Sequence, residues 1–182
     1  MRKIIKTELG SWILSIVCAI VLAYIVKTYM VSFFIVEGVS MEPTLYNNER
    51  VLVNKIPAWN NSVNHQDIVV IRDDENDRYY VKRIIGLPGD KVAIENDTLY
   101  VNDKPKDEPY LPKEQVGIEL LKMNMTGDFE PVSVPKDHYF VMGDNRLDSR
   151  DSRNGLGYIE EEDIVGISEY VLFPLKYARK TD

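Results

Sequence analysis

RYYVKRIIGLPGD, residues 78–90, sets the language of the chain. Aromatic and β-branched residues run from Tyr79 to Ile85, and Gly86-Leu87-Pro88-Gly89 then breaks the run, so the segment reads as a strand closed by a turn. A period of two puts Tyr80, Lys82 and Ile84 on one face and Val81, Arg83 and Ile85 on the other. A lysine in the middle of so apolar a strand has two readings. It is an edge-strand residue that blocks sheet aggregation, or it is buried for its chemistry.

The same language extends in both directions. TYMVSFFIV (28–36), RVLVNKI (50–56), DIVVIR (67–72), HYFVMGDN (138–145) and IVGISEYVLF (164–173) all read as strands. KVAIEND and TLYVNDK form a hairpin, with Val92 and Ile94 facing Leu99 and Val101 across a turn at Asn96-Asp97. PAWNNSVNHQ (57–66) is a loop by its Asn and Pro content. Helix is signalled after the N-terminus only at Pro112–Lys122 and in a turn at Glu160–Asp163. Many short strands without alternating helices make the chain mainly β, an antiparallel sandwich or barrel. Residues 93–137 are the least regular and read as an insertion in that core.

Residues 9–26, LGSWILSIVCAIVLAYIV, are uncharged and long enough to cross a hydrocarbon core of about 30 Å as a helix. Arg2, Lys3 and Lys6 precede the run and Lys27 follows it, which sets the N-terminus in the cytoplasm and the polar chain outside. A cleaved leader ending near Val21-Leu22-Ala23 is the competing reading. The run is longer than a usual leader core and continues past Ala23, which favours a permanent anchor. Cys18, the only cysteine, lies in this run, so no internal disulfide is possible. A net charge of −7 argues against nucleic acid as a partner. A length of 182 residues with 45% hydrophobic content suits one domain, or one with an inserted subdomain.

For chemistry the chain offers few histidines. His65 sits in an Asn-rich loop and His138 in a turn opening a strand, and both read as surface residues. With one membrane-buried cysteine they make no structural zinc site. The acidic stretch 144–151 lacks the ligand spacing and central glycine of a calcium loop. A serine hydrolase in this chain therefore needs a lysine as its base, and a lysine serves only when neutral. Burial away from carboxylates lowers its pKa, and Lys82 meets that need best. Ser40, in EGVSMEPTL (37–45), is on its own a turn or capping residue beside core hydrophobics.

Taken together, GVSMEPTL (38–45), RVLVNK (50–55), YVKRIIGLPGD (80–90) and GDNRLDSRDSR (143–153), in that order behind one anchor, resemble the bacterial type I signal peptidases. The single-anchor form is similar to those of Gram-positive bacteria. The resemblance spans nearly the whole chain and is weakest over 103–137. It implies Ser40 as nucleophile, Lys82 as general base, Ser149 as the hydroxyl that orients the lysine amine, and Asp151 with Arg153 as a supporting ion pair. Asp144, Asn145 and Arg146 would shape the same loop. Some members carry a serine two residues before the nucleophile to help bind the oxyanion. Here Gly38 stands there, leaving the Ser40 backbone N–H as the named donor.

The family cuts exported preproteins after small residues at −1 and −3. The resemblance therefore implies shallow apolar pockets, placed by position at Phe34, Val36, Met41, Leu45, Val51, Tyr80 and Val81. It implies a cytoplasmic tail (1–8), an anchor (9–27), a catalytic β core (28–92 and 138–176) and an inserted cap (93–137). Its partners would be secretory preproteins and the lipid bilayer, the enzyme acting as a monomer without cofactor or metal. Thirteen residues, Lys27 to Val39, separate the span from Ser40. Fully extended they reach about 45 Å, which keeps the serine near the membrane surface. Two rivals remain: a self-cleaving repressor-type Ser/Lys peptidase, and a catalytically silent tethered β domain that binds a partner. The anchor counts against the first, the presence of both Ser40 and Lys82 against the second.

Overall fold

The computed structural model describes residues 2–111 and 126–181, so the helix expected over 112–122 lies outside the described residues. Helix α1 (Arg2–Ile25) runs on through a wide π-turn at Val26–Met30. Its segment Gly10–Met30 has a mean hydropathy of 2.1 and is nowhere buried by the rest of the chain. It is long and apolar enough to cross a membrane.

The elements then follow as β1 (Val31–Ile35), β2 (Arg50–Asn54), α2 (Ile56–Trp59), β3 (Ile68–Asp73), β4 (Arg78–Gly86), β5 (Lys91–Glu95), β6 (Thr98–Val101), β7 (Lys104–Pro105), β8 (Phe129–Ser133), β9 (His138–Met142), β10 (Ile159–Glu160), β11 (Ile164–Phe173) and β12 (Arg179–Lys180). Several expected boundaries move, and the strand read over 138–145 ends at Met142, where the chain passes into a loop. The first strand begins at Val31 and not at Thr28, because 28–30 stay in the helical path, and past β2 only the Lys55 N–H reaches back to the Met30 carbonyl, at 2.9 Å. The register ends at Val31 opposite Asn54. The second strand stops at Asn54, whose Oδ1 accepts the Ile56 N–H at 3.1 Å and opens one turn of helix in what reads as loop. That turn grips the root of the anchor: Trp59 lies edge-on to Tyr29 at 6.1 Å, and Lys55 Nζ donates to the Thr28 carbonyl.

One sheet runs in the order β1-β2-β11-β3-β4-β9-β10, all antiparallel, with β12 added beside β11. A smaller sheet, β7-β6-β5-β8, carries the hairpin in the expected register, Val92 opposite Val101 and Ile94 opposite Leu99. The continuous apolar run of β3 is explained by burial on both faces. Ile68 and Val70 enter one apolar cluster with Val36, Met41, Leu45, Val51, Val53 and Val171. Val69 and Ile71 enter a second with Ile84, Tyr139 and Val141. The alternate faces of β4 and β9, Ile85 with Phe140 and Met142, supply a third that seats the small sheet through Val92, Ile94, Leu99 and Val101.

The β2–β11 contact depends on Gly166, where an added Cβ would overlap the Asn54 backbone carbonyl. Because backbone cannot rotate aside as a side chain can, Gly166→Ala is expected to destabilise the protein by about 1–3 kcal/mol, read as a lowered Tm in detergent. An unchanged Tm would show that the strands separate freely.

Candidate active site

Ser40 sits on a turn fixed at both ends. Val36 N–H donates to the Glu49 carbonyl and Asn48 N–H to the Val36 carbonyl, both at 2.8 Å. Gly38, at φ +86°, donates its N–H to Asn47 Oδ1 at 3.0 Å, a left-handed conformation that favours glycine. Met41 and Leu45, fully buried, pin the turn to the core from below. Leu45 N–H closes one helical turn on the Met41 carbonyl.

Lys82 reaches that turn from β4 and is 2% exposed. Its Nζ lies 2.7 Å from Ser40 Oγ and donates to the Val81 carbonyl at 2.9 Å. Burial pushes the amine down to about 8 from 10.5, opposed by the negative charges of Asp151 and Asp144. Both carboxylates are held by arginines. Arg83, next in the strand and on its opposite face, grips Asp144 through Nε at 2.9 Å and Nη2 at 2.6 Å. Thr44 Oγ1 donates to the same carboxylate at 2.6 Å. Asp151 is fully buried and chelated by Arg153 Nε and Nη2 at 2.9 and 2.8 Å. Although burial raises its pKa, that arginine and the Gly143 N–H hold it below the usual carboxylate value.

The loop after β9 locks the Ser40 turn in place. Asn145 donates its backbone N–H to the Ser40 carbonyl at 3.0 Å and its side-chain amide to the Val39 carbonyl at 3.2 Å. Gly143 passes so close that a Cβ there would overlap Ser149 Oγ and the Ser40 carbonyl. Arg146, with a fully buried side chain, donates Nε to the Gly143 carbonyl at 3.0 Å and pairs with Glu108. Tyr110 stacks its ring 3.8 Å from the Arg83 guanidinium. Its phenol is pushed up chiefly by burial, and by Glu108. Sequence reasoning missed Gly143, Glu108 and Tyr110. A buried Arg83 in an apolar strand was the available sign that a carboxylate partner waits elsewhere.

Ser40 and Lys82 are thus brought together, and Asp151 with Arg153 forms an ion pair beneath them. Ser149 is buried beside Gly143, and the hydrogen bonds of Lys82 go to Ser40 and Val81 rather than to it. His65 pairs with Asp90 at 2.7 Å and His138 with the Lys136 carbonyl at 2.8 Å, each within its own neighbourhood.

A groove of about 580 Å³ leads away from the two side chains. One wall is β1, paired only on its β2 side. The other is the segment 78–82 of β4, whose pairing with β9 begins at Arg83. Of the seven expected lining residues, Phe34, Val36, Met41, Tyr80 and Val81 line it. Leu45 and Val51 do not: both are fully buried in the cluster behind the wall, because the turn and β2 direct them inward.

A serine hydroxyl against a buried, readily neutralised amine at the head of an open groove is the chemistry of a serine hydrolase. The family described as signal peptidase, peptidase S26, matches residues 9–173. Signal peptidase I P of Bacillus subtilis subsp. natto is 47% identical over 174 residues, 96% of this chain and 94% of its own. Signal peptidase I T of Bacillus subtilis strain 168 is 48% identical over 171 residues, 94% of this chain and 89% of its own. The crystal structure of a signal peptidase I from Enterococcus faecalis V583 aligns with a TM-score of 0.50 at 32% identity, covering 58% of this chain and 95% of that one. The chain belongs to the signal peptidase family, and its activity is that of a signal peptidase I, a membrane-anchored peptidase acting on exported preproteins.

Burying Lys82 carries a stability signature. Its amine ionises less readily folded than unfolded, so the charge opposes folding fully below about pH 8, and the opposition fades by 10.5. Lys82→Met is therefore expected to stabilise the protein by about 2 kcal/mol near neutrality, once about 1 kcal/mol is subtracted for the lost Ser40 hydrogen bond. Thermal melts from pH 7 to pH 10.5 should show that gain shrink across the window. A gain that does not depend on pH would mean the amine is not the cause.

Proposed function

We propose that the peptidase works through a Ser40–Lys82 dyad and cuts after small residues at −1 and −3, the Ala-X-Ala pattern. The observation that carries this is the 2.7 Å approach of a buried amine to the serine hydroxyl. Neutral Lys82 takes the Ser40 proton through its lone pair, which the bond to the Val81 carbonyl helps orient. Ser40 Oγ bonds to the scissile carbonyl carbon, and the Ser40 backbone N–H stabilises the oxyanion. The ammonium gives its proton to the departing amine as the C–N bond breaks, leaving an ester on Ser40. Lys82 then deprotonates the water that hydrolyses this ester. Ser149, Asp151 and Arg153 support the dyad from below.

The signal segment would lie extended between the open edges of β1 and β4, adding a strand to both. Alternate side chains would enter the space bounded by Phe34, Val36, Met41, Tyr80 and Val81. Residues 1–8 form the cytoplasmic tail and 9–27 the anchor. The catalytic core, 28–92 with 138–176, stands on the outer face, and 93–137 caps it as an insertion. Phe33 and Ile35, 64% and 55% exposed on the strand that leaves the span, would rest on lipid. The enzyme acts as a monomer.

Cleavage of a purified preprotein in detergent tests the dyad. Ser40→Ala and Lys82→Ala should each lower kcat by about 10⁴-fold or more. Wild-type kcat should climb with pH through about 8, because the active base is the neutral amine. Activity retained by either variant, or a flat pH profile, overturns the mechanism.

A further inference from the structure

After β11 the chain turns back as a strap, 174–181, that lies outside the residues matched by the family. It is held to the sheet by the pairing of Arg179 and Lys180 with Val171 and Tyr170, and by the Thr181 hydroxyl on the Ser168 carbonyl. From this strap Arg179 reaches across to the segment that carries Ser40. Its Nη1 and Nη2 bind the two oxygens of Glu49 at 2.7 and 2.9 Å, and Nη2 also donates to the Thr44 carbonyl at 2.6 Å.

Both targets matter to the serine. Thr44 is four residues beyond Ser40, and its hydroxyl is the one bound to Asp144. Glu49 closes the turn 46–49, where Asn47 holds the Gly38 N–H and the Glu49 carbonyl accepts from Val36. The Glu49 side chain is 5% exposed, and among the described residues Arg179 is its only cationic partner. Packing does not supply the link instead, because a cavity of about 470 Å³ lies between strap and turn, lined by Tyr46, Asn47, Pro174 and Tyr177. A planar guanidinium suits this task, since its fork engages a carboxylate and a carbonyl at fixed angles.

We propose that Arg179 is a positioning residue for the nucleophile: it clamps the far side of the Ser40 turn at Thr44 and Glu49, opposite the clamp made by Asp144 and Asn145. This rests on the reading of Ser40 as nucleophile. Without Arg179 the buried Glu49 carboxylate keeps only the Tyr46 N–H, at 3.0 Å, and no countercharge, so it swings toward water and the turn moves with it.

The test uses the full-length enzyme in detergent with a purified preprotein, well below its Tm. Arg179→Met is expected to lower kcat about tenfold to a hundredfold, with KM held within about threefold. The double variant Glu49→Gln/Arg179→Met removes the stranded charge together with its partner. It should regain Tm while kcat stays low, because the bond to the Thr44 carbonyl is still missing. Ile159→Ala, a core truncation elsewhere in the sheet, should cost Tm and leave kcat within about twofold. If Arg179→Met keeps wild-type kcat while Ser40→Ala is inactive, the positioning role is wrong and the nucleophile reading stands. A kcat that recovers together with Tm in the double variant also overturns it. An active Ser40→Ala removes both.

Discussion

The Asp144 carboxylate is the point on which the site depends. It binds Arg83 from β4 and Thr44 from the nucleophile turn, and it belongs itself to the loop after β9. Three segments far apart in sequence therefore meet at one buried charge. Such pairs contribute little net stability over apolar packing, but losing one partner strands the other. What the arrangement supplies is geometry. Lys82 is the residue before Arg83, so the strand that Asp144 holds is the one that aims the amine at Ser40.

Burial of Lys82 works only because the surrounding charges are balanced. Asp144 and Asp151 would each keep the amine protonated, yet both are engaged by arginines, Arg83 and Arg153, so their field at Nζ is blunted. Desolvation then prevails, and the amine titrates near 8. The strand is destabilised by the same desolvation that makes the amine readily neutralised. Stability surrendered at a reactive centre and recovered elsewhere is a common arrangement in enzymes. Here the recovery comes from β3 and β9, which are buried on both faces.

Much of the fold was legible from local pattern. The run DIVVIR (67–72) reads as a strand from its β-branched residues and falls at Ile68–Asp73, and the Asn96-Asp97 turn fixes the register of its hairpin. Where the reading slipped, a partner outside the window decided. Thr28–Met30 has strand-like residues, but β2 ends at Asn54 and turns into a helix, so they stay in the helical path. Leu45 and Val51 look as suitable for a groove wall as Met41 does. Their side chains point into the core because of how the turn and β2 sit, which no periodicity reveals. Asp151 and Arg153 were paired only through the resemblance, since 143–153 alone reads as a solvated charged loop, and Glu108 with Arg146, separated by 38 positions, was not paired at all.

By itself the sequence determined a helix of membrane-crossing length and the antiparallel β character, because hydrophobic period and turn residues are local properties, while Ser40 and Lys82 were singled out only by the ordered blocks that resemble the family. Only the tertiary structure decided that the Ser40 hydroxyl and the Lys82 amine come within 2.7 Å. It alone closed Asp144 on Arg83 and brought Arg179 back to the Ser40 turn. Each of these is a distance between segments remote along the chain, fixed by how strands pair and which charges can be buried together.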